Sequence, residues 1–213
     1  LYWGENNEDG TPKMHTFYAG YGEDISIDAN GVATCRYKAD QELTQGKDGS
    51  WINMSQAYMV ATKTTQAVDN IDLHFKPIMT TVEIDVQGPK SGTIAIKAIE
   101  IKIPASQDKL YLEGSQDDGY NAYFKYYINN PEGNKCPSVP ENATDEKFIF
   151  TLKKSATAPY YPTIGNGQSV KITAILPPIL INQANPITIT VDANEGSNTA
   201  DFNKITTTAT TKV

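Results

Sequence analysis

The stretch Thr93-Ile94-Ala95-Ile96-Lys97-Ala98-Ile99-Glu100-Ile101-Lys102-Ile103 decides the fold class. Isoleucine stands at 94 and 96, then at 99, 101 and 103, the every-second-residue spacing of side chains on one face of a strand. The parity flips between 96 and 99. A β-bulge at Lys97-Ala98 accounts for the flip, because one inserted residue moves the following side chains to the other face. A bulged strand also bends, so this one is expected to turn a corner between the sheets of a sandwich.

The same alternation spreads outward on both sides. Upstream, residues 79–86 place Val82, Ile84 and Val86 on one face, and residues 71–75 (IDLHF) alternate as a further strand. Pro77 lies between the two and cannot donate to a ladder, which predicts an edge position or a bulge. Residues 15–21 and 24–28 read as strands, and Asn30-Gly31 before residues 32–38 is the best local hairpin signal. Residues 41–50 (QELTQGKDGS) read as a polar loop. Residues 57–62 read as a strand, and 51–59 is the best helical stretch, with apolar spacing for at most two turns. Downstream, residues 109–113, 121–128, 147–153, 169–176, 187–191 and 205–213 read as strands, with proline-rich loops at 129–143 and 156–167.

Composition agrees. Thr, Ile and Val supply 53 of the 213 residues, and β-branched side chains suit a pleated surface better than a helix. The expected architecture is therefore all-β, as antiparallel β-sandwich domains. The length allows an N-terminal sandwich over 1–104 and a β-rich domain over 105–213, divided at Pro104. One sandwich over 1–213, decorated at 114–147 and 155–168, is the alternative.

Several function classes are disfavoured. The net charge is −7, and Arg36 is the only arginine beside 17 lysines. A surface built to bind nucleic acid or other polyanions would be basic and richer in guanidinium groups. No run of 18 apolar residues provides a membrane-spanning helix. The richest stretch, residues 172–181 (ITAILPPILI), is short and broken by two prolines. The chain starts on Leu1 rather than Met, shows no signal peptide or lipid-attachment cysteine, and is expected to have been trimmed.

Catalytic signals are sparse. His15 and His74, the two histidines, have no metal-ligand spacing, and there is no nucleophile elbow and no phosphate loop. Asp117-Asp118 with Asn121, and Glu8-Asp9, offer oxygens for calcium but lack the spacing of an EF-hand loop, and read as solvated turns. The expectation is no enzyme, no catalytic residue, no metal and no cofactor. Cys35 and Cys136 are the two cysteines; they read either as a long-range disulfide or as two free thiols. Two glycosylation sequons, at Asn53 and Asn142, are of the kind that arises by chance.

Tyrosines are the more suggestive feature. Tyr123 and Tyr127 share one face of their strand, with Phe124 and Tyr126 on the other, and Tyr160-Tyr161 lie in a proline-containing loop. Exposed rings at these four tyrosines would form a candidate binding surface for a sugar or a protein.

The opening Leu1-Tyr2-Trp3, followed by His15-Thr16-Phe17-Tyr18-Ala19, resembles the LYW…FYAYYP signature of fimbrillin-like proteins of Bacteroidetes. The segment from Ile71 to Ile84 (IDLHFKPIMTTVEI) resembles that family's L-x-F-x-H-x-L/M-S-K-V-x-V strand pair. Lys76-Pro77 stands in place of Lys-His and Thr80-Thr81 in place of Ser-Lys, and an Ile-rich strand follows. The matches cover residues 1 to 103. The resemblance implies transthyretin-like, Greek-key β-sandwich domains in a subunit of cell-surface fimbriae or pili. It implies an exported, lipid-anchored protein, although this chain lacks the lipobox cysteine and the strands that precede LYW in the family.

On that reading the partners are other fimbrial subunits, as homo- or heteropolymers, and a host protein or glycan receptor. Nucleic acid is no partner, and membrane attachment would come only through a lipid anchor absent from this chain. Subunits would join by strand exchange, with Ile205, Thr207, Ala209, Thr211 and Val213 as the candidate donor strand. The alternative is an extracellular carbohydrate- or protein-binding module of an outer-surface complex.

Overall fold

A computed structural model describes residues 6–66, 70–103, 108–109, 122–130, 146–157, 159–180, 187–195 and 205–210. In chain order its strands are β1 (His15–Tyr21), β2 (Ile25–Ile27), β3 (Val32–Tyr37), β4 (Asp40–Gln45), β5 (Trp51–Ile52) and β6 (Met59–Thr65). Then come β7 (Lys76–Pro77), β8 (Thr80–Gln87), β9 (Thr93–Ile103), β10 (Asp108–Lys109), β11 (Ala122–Tyr127) and β12 (Glu146–Leu152). The remainder are β13 (Thr163–Gly165), β14 (Ser169–Leu176), β15 (Ile179–Leu180), β16 (Thr188–Glu195) and β17 (Ile205–Thr210). A single 3₁₀ turn, Met54–Gln56, is the only helical element among the described residues.

The fold is mostly β and centres on a curled, mixed sheet, a half-barrel, in the order β17-β16-β9-β12-β4-β5-β14-β8, with β13 also on β9. Two of its pairings, β12 with β4 and β14 with β5, are parallel; the others are antiparallel. Two three-stranded sheets, β1-β6-β7 and β11-β3-β2, complete the main layers, with β10-β15 as a small extra ladder.

The bulge expected in the deciding stretch is present. Against β16, Ala98 pairs with Asp192 and Ile96 with Ala193, so Lys97 has no opposite number. On its other edge β9 changes neighbours at the same point, pairing with β12 at Ala98–Ile103 and with β13 at Thr93–Ala95. The whole of β9 nevertheless stays in one sheet, so the bulge does not carry it between the sheets of a sandwich; it marks the point where one strand changes partners along one edge. Ile96, Ile99, Ile101 and Ile103 are fully buried.

The Asn30-Gly31 hairpin also forms. The Gly31 N–H donates to the Asp28 carbonyl and the Asp28 N–H to the Val32 carbonyl, with Gly31 at φ +77°. Asp28 Oδ1 accepts from the N–H groups of Asn30 and Val32, an Asx turn that fixes the loop. Pro77 sits in the two-residue edge strand β7, as its missing N–H predicts.

Three local expectations are corrected. Residues 71–75 alternate but form no strand; only β7 after them pairs. The stretch 51–59 supplies the two-residue β5 and one 3₁₀ turn instead of a two-turn helix. The polar loop 41–50 is in fact β4 and a tight turn to β5, closed by Gly46 N–H to the Ser50 carbonyl at 2.7 Å. Its inward side chains are Gln41 and Leu43, and a glutamine at an inward position hides the alternation. Gln41 is only 3% exposed. Its Nε2 donates to the Tyr37 hydroxyl (2.7 Å), and that hydroxyl donates to the Ile175 carbonyl (2.6 Å). A buried amide with such partners can stand where an apolar side chain would be expected.

Two apolar cores result. The larger fills the curled sheet with Tyr37, Leu43, Trp51, the β9 isoleucines, Phe148, Phe150, Leu152, Ile172 and Leu176 among others. The smaller gathers Ala33, Cys35, Tyr58, Val60, Ile78 and Phe124 between the two three-stranded sheets. Each core draws strands from both sides of Pro104: β11 pairs with β3, and β12 lies between β9 and β4.

Lys38 and Ala39 carry the chain from the small sheet to the large one. There Gln56, fully buried, accepts the Lys38 N–H on Oε1, and its Nε2 reaches Glu23. Hydrogen bonding to Ser55 and the Lys38 ammonium at 3.2 Å hold the Glu23 carboxyl below its usual range. The crossover is thus tied to the β1–β2 turn and to the 3₁₀ turn at once.

Candidate functional site

The ends of the large sheet are the features most open to a partner. At one end β17 pairs with β16 alone, from Thr188↔Thr210 to Ala193↔Ile205. Of the candidate donor residues, Ile205, Thr207 and Ala209 fall in this strand, while Thr211 and Val213 lie outside the described residues. At the other end β8 pairs with β14 alone over eight residues, Thr80↔Leu176 to Gln87↔Ser169. Among the described residues no strand covers the outer edge of either.

Strand β8 keeps the expected parity. Val82, Ile84 and Val86 are half-buried against the large core, and Thr81, Glu83, Asp85 and Gln87 are exposed. Next to this exposed row lies a cleft of about 300 Å³ lined by Asp48, Ser50, Glu83, Asp85, Lys171 and Thr173, among others. Lys171 stands opposite Asp85 and Thr173 opposite Glu83 across the β8–β14 ladder. Ser50 donates to Asp48 Oδ1 from its hydroxyl (2.7 Å) and its N–H (3.2 Å). Those bonds, helped by Lys171, hold the Asp48 carboxyl below its ordinary range. Sequence reasoning used only the apolar half of this strand's alternation; the polar half, T-x-E-x-D-x-Q, was the signal for the acidic edge.

The described tyrosines of the four stand on different elements, β11 and the loop before β13. Tyr127, half-buried, lies on β11 opposite Val32 in the small sheet. Tyr160, also half-buried, lies in the loop before β13, with Lys154 Nζ 5.2 Å from its ring centroid. Tyr161 is 8% exposed and belongs to the interior, so it presents no ring to a ligand, and the expected Tyr160-Tyr161 surface is reduced to one ring. Tyr123 has a described backbone, opposite Arg36, and a side chain outside the described set. Its strand neighbour Phe124 is fully buried and packs edge-on to Tyr58 at 6.3 Å, the core position expected of one of the two faces.

Cys35 carries a free thiol in the smaller core, fully buried, and Cys136 lies outside the described residues. Burial pushes the Cys35 thiol up to about 12 from 9.0. A thiol reagent at neutral pH is expected to label Cys35 only on unfolding, read by mass spectrometry of its peptide. The unfolded chain releases this proton near 9.0 and the fold retains it to about 12. Cys35 therefore lowers native stability progressively between those values as pH rises, and Cys35→Ala is expected to flatten that part of the pH–stability curve.

Asp117, Asp118 and Asn121 lie outside the described residues. Asp9 accepts from the Thr11 N–H (2.9 Å) and hydroxyl (2.6 Å), which lowers its carboxyl and makes it the hinge of a turn. Among the described residues no three His, Cys, Asp or Glu side chains group as metal ligands, and no helix is long and apolar enough to cross a membrane.

Compared with protein-family models, curated proteins and solved structures, the chain matches none of them.

Proposed function

We propose that this chain is a structural or adhesive subunit of cell-surface fimbriae, exported and built from transthyretin-like, Greek-key sandwich layers, in which neighbours join by exchange of strand β17. The observation that carries the reading is β17. It is the last described strand, it is held on one side only by β16, and nine residues of chain separate it from that partner. A strand so placed can be replaced by the same strand of a neighbour with no loss of ladder hydrogen bonds, because the pairing is identical. The fimbrillin-like segments at residues 1–3, 15–19 and 71–84 support the same class. Leu1, Tyr2 and Trp3 lie outside the described residues.

The alternative binding-module reading, resting on a tyrosine platform, is weakened by the burial of Tyr161 and by the placement of Tyr127 on β11 and Tyr160 in the loop before β13.

Truncation tests the exchange. A chain ending at Lys204 lacks β17 and is expected to bind a synthetic peptide of residues 205–213 and to melt at a higher temperature with it. The full chain, concentrated and incubated after limited proteolysis, is expected to give ladders of multimers and fibres by electron microscopy. A full chain that stays monomeric throughout, beside a truncated chain indifferent to the peptide, would remove strand exchange as the assembly step.

A further inference from the structure

The opposite end of the large sheet carries an inference that does not depend on β17. We propose that the outer edge of β8 is a docking site for an extended, lysine-bearing segment of a partner protein, which adds to the sheet as a further strand with its ammonium groups over Glu83, Asp85 and the adjoining cleft.

Backbone direction comes first. The Gly88 N–H donates to the Gln168 carbonyl at 2.8 Å, and the register continues from there as Gln87↔Ser169 down to Thr80↔Leu176. In an antiparallel ladder hydrogen-bonded and non-hydrogen-bonded pairs alternate. Gly88, Val86, Ile84, Val82 and Thr80 therefore spend their N–H and C=O groups on β14. Thr81, Glu83, Asp85 and Gln87 turn theirs outward. The edge that results is eight residues long, with no proline, no lysine and no bulge along it, the usual devices that close such an edge.

Charge then selects the occupant. A second β8 pairing antiparallel about a two-fold axis at Ile84 would set Glu83 opposite Asp85 of the other copy, twice over. Like charges directly opposite destabilise a pair, so β8 is a poor partner for itself. The cleft beside it brings the carboxylates of Asp48, Glu83 and Asp85 against the single ammonium of Lys171, leaving an excess of negative charge. Its volume of about 300 Å³ has room for a long cationic side chain. An incoming strand with lysines at alternate positions satisfies both the outward backbone groups and the carboxylates. Residues on its other face extend the row made by Val82, Ile84 and Val86.

Peptide binding to the full chain tests this. The probes are a labelled heptapeptide Thr-Lys-Val-Lys-Thr-Lys-Val, its counterpart with Glu for Lys, and a third of the first sequence methylated at every internal backbone nitrogen, which keeps the lysines and removes the ladder donors. Fluorescence anisotropy is expected to show the first bound at least tenfold more tightly than either of the others, with affinity falling as salt rises. The exposed pair Glu83→Lys/Asp85→Lys is expected to reverse the preference between the first two probes; a cation at position 85 then stands opposite Lys171, so the melting temperature is expected to fall slightly while the chain stays folded at the assay temperature. Gln87→Pro, which removes one outward N–H without changing the charge, is expected to weaken the first probe several-fold. Equal binding of the N-methylated probe would reduce the effect to general attraction of cations and overturn the proposal. So would a preference untouched by the charge reversal, or self-association of the chain that the charge reversal abolishes.

Discussion

Phe150→Ala is expected to lower the stability of the fold by about 4 kcal/mol, the usual cost of emptying a large aromatic site in a core. Phe150 is fully buried on β12, where Ile99 of β9 flanks it on one side and Gln41 of β4 on the other. β12 thus joins the antiparallel and parallel parts of the large sheet, and the ring belongs to the larger core, away from solvent. For a chain of this length the loss corresponds to roughly a 10 °C fall in melting temperature. Phe150→Leu keeps most of the volume and is expected to cost about a third as much. Thermal and denaturant unfolding of the two variants check the ratio. A Phe150→Ala variant within 1 °C of the parent would mean that the larger core is not packed around this ring.

Gly22→Ala is expected to cost roughly 3 kcal/mol, although it adds one methyl group. Two effects combine. Gly22 has φ +137°, a region that side-chain-bearing residues adopt only at a cost of about 1–3 kcal/mol. Its added Cβ would also overlap the Tyr58 ring, coming within 2.7 Å of Cε1. Tyr58 cannot give way easily. It is fully buried, its hydroxyl donates to the Arg36 carbonyl, and its ring meets Phe124 nearly at right angles. The glycine therefore lets the β1–β2 turn press directly on the anchor of the smaller core. Because the clash and the anchor share one contact, Gly22→Ala combined with Tyr58→Ala is expected to cost clearly less than the sum of the two single changes, measured by denaturant unfolding. Additivity would show that backbone conformation alone sets the cost.

A second close approach, here of backbone to backbone, explains Gly88 and Gly165, while Gly92 is called for only by its φ of +78°. Gly165 of β13 lies against the Gly92 carbonyl, and a Cβ on Gly88 would come within 2.8 Å of the Gly165 backbone nitrogen. Backbone meets backbone here, so no side chain can be accommodated on either side. Such contacts leave only isolated glycines in the sequence, indistinguishable from those of an ordinary turn.

Much of the fold could be read directly where a local rule was strong. Period-two alternation gave β8 and β9, the change of parity located the bulge at Lys97, Asn30-Gly31 gave the hairpin, and the missing N–H of Pro77 gave the edge. The reading went astray where a tertiary partner altered the meaning of a residue. Gln41 reads as loop until the Tyr37 hydroxyl and the Ile175 carbonyl are beside it. The 71–75 segment alternates as well as any strand, yet among the described residues no strand pairs with it. Tyr160 and Tyr161 are adjacent and chemically alike, but one lies under Lys154 at the surface and the other inside.

By itself, then, the sequence determined that the protein is built of strands, where its longest strand bulges, and that its net charge is acidic, which disfavours a broad surface for polyanions. Those properties follow from side-chain chemistry and spacing along a few residues. Only the tertiary structure decided which strands pair. It placed β12 beside β4 and β14 beside β5 in parallel, and it divided the apolar residues between two cores. It also left β17 and β8 as the two ends of one curled sheet. Strand pairing joins residues more than a hundred positions apart, and the backbone groups that form it are the same in every residue. The choice of partner therefore rests on the packing of all the strands together, and the open edges from which the functional proposals arise exist only once that packing is complete.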